Sequence, residues 1–207
     1  EISVYTVYSM VVNGVRKFID SFITGVEAAF GNMIARGEKV SLDRNVSIFE
    51  FLIYNITIIL FTSTGILITS FVAIYTKGIT DVDYHRVGFG YLLVVSEVFS
   101  CLRMPYQLVA NAAGHYRETR NGAIIEAGLN IIISLIFVKK LGLVGVLIGT
   151  LAAMIFRTMQ YSIYVSSKIL YRSIFVVIKK LFISILNVLG IISIVQFLRL
   201  PTVDSYY

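Results

Sequence analysis

Charge is what this sequence has least of. Asp, Glu, Lys and Arg make up 14% of its 207 residues, against about a quarter in ordinary soluble domains. Hydrophobic residues make up 57%, with a mean hydropathy of +0.83. So few charges cannot clothe a water-soluble surface, and the expected solvent is a bilayer. Cysteine is nearly absent: Cys101 stands alone, which excludes an intrachain disulfide and a cysteine-built metal cluster. The two histidines, His85 and His115, sit far apart at loop edges, so neither a metal site nor a cofactor is expected. No G-x-S-x-G elbow occurs. No basic leader with a short apolar core and small-residue cleavage site opens the chain, which reads as cut from something longer.

What is present is a series of long apolar runs. About 20 residues at 1.5 Å rise cross a hydrocarbon core of about 30 Å, and runs approaching or exceeding that length occupy roughly 3–32, 49–75, 88–110, 121–138, 143–166 and 181–198. All are expected to be helices, because a bilayer leaves no other open structure with its backbone satisfied. The expected fold is therefore an all-α membrane protein, a polytopic bundle of about six transmembrane helices forming one unit over 1–207. The segment IFVVIKK before the sixth span is expected to lie along the interface.

The net charge is +6 and the pI about 9.4, but the basic residues are dispersed between apolar runs. That pattern suits membrane anchoring and anionic headgroups better than nucleic acid. Arg36, Lys39, Arg44, Arg117, Arg120, Lys168, Arg172, Lys179 and Lys180 fall at one set of span ends. Lys77, Arg86, Lys139, Lys140 and Arg199 fall at the other. The positive-inside rule makes the first set cytoplasmic.

The opening span breaks the apolar pattern. On a helical wheel Thr6, Ser9, Asn13, Arg16, Lys17, Asp20, Thr24, Glu27 and Gly31 share one face, opposite Val4, Val11, Val15, Phe18, Ile19, Phe22, Val26, Ala29 and Met33. A central charge facing lipid costs roughly 2.5–3.5 kcal/mol, so this stripe is expected to border a bundle interior or wet cavity. Arg16 and Asp20 stand four apart and are expected to pair. The plainer alternative, an amphipathic helix in the headgroup plane, fits balanced charges and a Thr/Asn/Ser stripe less well.

Weaker echoes follow. Gly122, Glu126, Asn130 and Ser134 recur every four residues, and Thr150, Met154, Arg157 and Tyr161 align similarly. For Glu97, Arg103, Glu126 and Arg157, interhelical pairing and a substrate role are weighed equally. Pro105 is expected to kink the third span. Gly142, Gly145 and Gly149 in GLVGVLIGT read as a close-packing seam, since the run lacks the Lys-Ser/Thr ending of a phosphate loop.

The run AAGHYRETRNGAIIEAGLNIIISLIFVKKLGLVGVLIGTLAAMIFRT resembles the C-terminal half of Wzx-type polysaccharide flippases, in the multidrug/oligosaccharidyl-lipid/polysaccharide exporter superfamily. The opening run EISVYTVYSMVVNGVRKFIDSFITGVEAAFGNMIARGE is similar to the eighth helix of fourteen-helix members. The resemblance implies the C-terminal lobe of a MATE/MurJ-like exporter, an N-terminal lobe of similar size outside this sequence, and a location in the bacterial inner membrane. It implies a non-enzymatic protein that flips polyprenyl-pyrophosphate-linked oligosaccharide by alternating access for surface polysaccharide biosynthesis. Its partners would be that lipid-linked glycan and membrane lipids. Arg16, Lys17, Asn13 and Arg157 would then touch substrate, while Asp20, Glu27 and Glu126 would balance charge or couple an ion. A departure from this pattern is the stripe's neutrality, two cations against two anions. Two rivals are a cation-coupled multidrug exporter and a membrane-embedded glycan polymerase or ligase, which would need a larger loop or a clustered acid/base pair.

Overall fold

The structure, a computed structural model, describes residues 2–79, 82–173, 175, 176, 178–180, 182, 183, 186, 187 and 190. Six helices follow one another: α1 (Ile2–Ser21), α2 (Val26–Ala35), α3 (Lys39–Tyr75), α4 (Val87–Ala112), α5 (Tyr116–Leu141) and α6 (Leu143–Lys168). No strand occurs among the described residues. Helices α3 to α6 are each long and apolar enough to cross a membrane. Most of the sixth expected span, 181–198, lies outside the described residues.

The opening span differs from its expectation. Residues 3–32 do not form one helix: α1 ends at Ser21, and a turn over 22–25 precedes α2. Phe22 N–H and Ile23 N–H donate to the Ile19 and Asp20 carbonyls at 3.0 and 3.1 Å, tightening the last turn of α1. Gly25 then takes φ +85, a left-handed conformation open to glycine at little cost. The wheel drawn through 3–32 therefore loses its phase after Ser21, and Thr24, Glu27 and Gly31 leave the stripe. Asn13, Arg16 and Lys17 also dilute α1 enough that it does not join the four long apolar helices.

One further boundary moves. The second expected span begins its helix at Lys39 rather than near residue 49, so the polar VSLDR sequence is helical and extends α3 to 37 residues. Pro105 lies buried inside an unbroken α4. Its missing N–H leaves the Cys101 carbonyl without its usual ladder bond.

Helix α4 is the axis of the bundle, touching each of the other five. Along α3 the buried residues Leu42, Val46, Glu50, Ile53, Thr57, Phe61, Ile68 and Val72 form one stripe, at the three- and four-residue steps that turn one helix face inward. One apolar cluster unites α1, α3 and α4 around Tyr8, Phe61 and Phe89, and a second unites α2, α3, α4 and α6 around Phe30, Tyr106 and Val165. Tyr8, fully buried, donates from Oη to the Tyr84 carbonyl at 3.0 Å and accepts from Arg86 N–H at 3.2 Å. That fastens the α3–α4 loop to the start of α1.

The glycine seam pairs α5 with α6. Gly142 reverses the chain at φ +56. A Cβ on Gly145 would sit 2.5 Å from the Phe137 carbonyl carbon, and one on Gly149 would sit 2.8 Å from the Asn130 carbonyl oxygen. Glycine thus lets two backbones touch, as small residues do between packed membrane helices. The outer face of α5, with Ile124, Ile131, Ile132, Leu135 and Ile136, is exposed and apolar.

The two ends of the bundle follow the alternation used for the charge count. Val4, Arg86, Phe89, Leu141 and Leu143 enclose a cavity of about 30 Å³ at one end. Lys39, His115 and Lys168 meet at the other.

Candidate functional site

Near the middle of α4, Glu97, Ser100 and Arg103 stand three residues apart and rise along one side of the helix. Arg16 reaches the first two from α1: its Nη1 donates to Glu97 Oε2 at 2.7 Å and to Ser100 Oγ at 2.8 Å. Its Nε lies 3.9 Å from Asp20 Oδ2. The expected i,i+4 pair is therefore present, but the guanidinium is committed chiefly across helices. Charge-assisted bonds of this length are roughly twice as strong as neutral ones.

The third α4 residue opens a second network. Arg103 Nη1 donates to Glu126 Oε1 at 3.0 Å, and Arg157 Nε lies 3.3 Å from Glu126 Oε2. One carboxylate on α5 thus joins α4 to α6. Arg157 Nη1 also donates to the Thr119 carbonyl at 2.8 Å and to Gln160 Oε1 at 2.6 Å, while Nη2 donates to Tyr161 Oη at 3.2 Å. Its guanidinium carbon lies 4.4 Å from the Tyr161 ring centroid, within cation–π range. Arg103 Nε, by contrast, is buried with no hydrogen-bond partner among the described residues.

The expected site residues therefore divide. Arg16 and Glu126 join adjacent networks along α4. Arg157 is 7% exposed in its side chain, and each of its three nitrogens is engaged. A substrate contacting Arg157 would have to displace one of these partners. Asn13, Lys17 and Asp20 are exposed on α1, and among the described residues Lys17 forms no ion pair. Glu27 is half-buried on α2, past the Gly25 break. The polar faces of α5 and α6 do meet, but they meet closed: a Cβ at Gly122 would lie 2.2 Å from Gln160 Oε1, and Ser134 Oγ donates to Asn130 Oδ1 at 3.1 Å.

A third ionic cluster escapes the sequence reading. Glu50 on α3 is wholly buried and receives two bonds from Arg172 Nη1, at 2.9 and 3.0 Å. Lys180 also contacts Glu50, Arg172 Nε pairs with Asp43, and Arg172 Nη2 donates to the Asp43 carbonyl at 2.7 Å. This clamp binds the segment after α6 back onto α3. Its signal was available, because Glu50 falls within the repeating inward stripe of α3. Among the described residues no three His, Cys, Asp or Glu gather as metal ligands.

No family model, curated protein or solved structure matches the chain. The site consists of a layer of ion pairs at the middle of α4, an orphan donor on Arg103 and an exposed cation on α1.

Proposed function

We propose that this chain is one lobe of a transporter that flips polyprenyl-pyrophosphate-linked oligosaccharide across the bacterial inner membrane by alternating access, in surface polysaccharide biosynthesis. The observation that carries the reading is Lys17, an exposed cation beside the Arg16–Glu97 pair, in a bundle with four helices apolar enough to span. An unpaired charge at that level needs water or an anion. In this reading Lys17 and Asn13 contact the pyrophosphate or first sugar, and Arg16 sets their position through its hold on α4. Asp20 and Glu97 balance the charge of Arg16 and Lys17. The remaining basic charge comes from a facing lobe.

The test is complementation with the full-length protein. Lys17→Gln and Arg16→Gln/Lys17→Gln, at wild-type membrane levels, are expected to lose surface polysaccharide. Normal polysaccharide from the double variant removes both residues from the mechanism.

One observation favours a second reading in the same class. The contacting layer holds Arg16, Arg103 and Arg157 against Asp20, Glu97 and Glu126, a balance of charges rather than an excess of cations. A cation-coupled exporter of small molecules would suit that balance. It predicts intact polysaccharide in a deletion strain together with greater sensitivity to exported dyes.

A further inference from the structure

At the end of the bundle where α2 passes to α3 and α4 to α5, a cleft of about 260 Å³ lies between helix ends. Its polar rim carries Lys39, His115 and Lys168, and its apolar lining includes Met33, Leu42 and Ile169. Both lysines are exposed and neither forms an ion pair among the described residues. Lys39 Nζ instead stands 5.2 Å from the Tyr171 ring centroid. His115 is oriented by a 2.8 Å bond between Nδ1 and Tyr164 Oη, which leaves Nε2 as its remaining polar atom. The one acid in the lining, Glu38, lies 3.9 Å from Arg36, which offsets its charge.

Helices α3 and α5 both begin at this cleft, and neither Glu38 nor His115 caps its helix with a side-chain bond. Three helices also end here, and turn bonds take some of the carbonyls in their last turns. Glu38 N–H donates to the Met33 carbonyl, His115 N–H to Ala110 and Ile169 N–H to Val165, each at 3.0 Å. Cationic side chains above an apolar lining match an amphiphile bearing a phosphate.

We propose that this cleft binds the phosphate of an anionic phospholipid between Lys39 and Lys168, with acyl carbons against Met33, Leu42 and Ile169. Lipid is favoured over soluble phosphate by the apolar lining and by position. The cleft lies at the tips of helices long enough to cross a membrane, at the end where Arg36, Arg44, Arg117 and Arg120 also gather. The site is separate from the α1–α4 layer and does not depend on the transport reading.

The test uses the full-length protein in detergent, offered equal phosphatidylglycerol and phosphatidylcholine, with retained lipid counted by native mass spectrometry. Wild type is expected to prefer phosphatidylglycerol strongly, and Lys39→Gln/Lys168→Gln to lose about fivefold per lysine. Lys39→Arg/Lys168→Arg should keep the preference, as should Lys139→Gln/Lys140→Gln at the opposite end. Lys168→Gln alone, on an exposed side chain, is expected to lose about fivefold should the double variant fold poorly. Equal loss in the Lys139/Lys140 variant would reduce the effect to diffuse charge and overturn the site. Displacement of the lipid from wild type by inorganic phosphate would replace lipid with a soluble anion and overturn the assignment.

Discussion

Two ionic clusters built from similar residues serve this bundle in opposite ways. In the clamp, Asp43 and Glu50 answer Arg172 and Lys180, and Glu50 has no exposure at all. Around the middle of α4, Arg16, Glu97, Arg103, Glu126 and Arg157 are paired too, yet the cluster continues outward into Asn13, Lys17 and Asp20, which are exposed. A closed cluster contributes register and fixes a segment. An open one keeps charge in reserve, and that reserve makes the α1 side the functional candidate.

The sharpest way to break the comparison is at Glu50. Glu50→Ala leaves Arg172 buried beside Asp43 alone, and removing one partner of a buried pair costs about 3–5 kcal/mol. Thermal unfolding in detergent should show the largest loss of this set, and an unchanged midpoint would erase the distinction between clamp and site. Next in size is the seam that holds α5 to the rest. Gly145→Ala drives a methyl into the Phe137 backbone and is expected to cost about 1–3 kcal/mol. Gly14→Ala, with nothing within 4 Å of its Cβ, should be neutral or gain up to about 1 kcal/mol from helix propensity. Equal effects at the two glycines would mean that α5 and α6 do not touch.

Smaller effects separate the two halves of the open cluster. Glu126→Gln removes the carboxylate shared by Arg103 and Arg157 and should lower stability by about 1–2 kcal/mol, read by the same unfolding assay. Lys17→Gln should leave the midpoint within about 0.5 kcal/mol, as exposed substitutions usually do, while transport falls. A stability loss at Lys17 as large as that at Glu126 would make the open cluster merely another clamp.

Much of this was legible in the chain. Long apolar runs give α3 to α6, and the spacing of Gly142, Gly145 and Gly149 gives a seam that the structure places between α5 and α6. The Arg16–Asp20 contact follows from four-residue spacing. The break at residues 22–25 was hidden because apolar residues continue through it. Only Gly25 marks the point where the backbone turns left-handed, and one glycine in an apolar run reads equally well as packing. Arg16's choice of Glu97 over Asp20 depends on how α1 docks against α4, which no local pattern encodes. Glu50 was missed for a different reason. The apolar run begins at residue 49, so Glu50 stands at its edge, where an acid looks like a loop residue, whereas the helix starts at Lys39 and carries Glu50 well inside.

The central claim is that the face bearing Asn13, Lys17 and Asp20 borders water at the depth of the Arg16–Glu97 pair. In full-length protein lacking buried Cys101, single cysteines at positions 13, 17 and 20 should react in native membranes with a membrane-impermeant thiol reagent, while cysteines replacing Ile132 and Leu135 on the apolar face of α5 stay unlabelled. Protection of positions 13, 17 and 20 to the same degree as 132 and 135 would contradict the account.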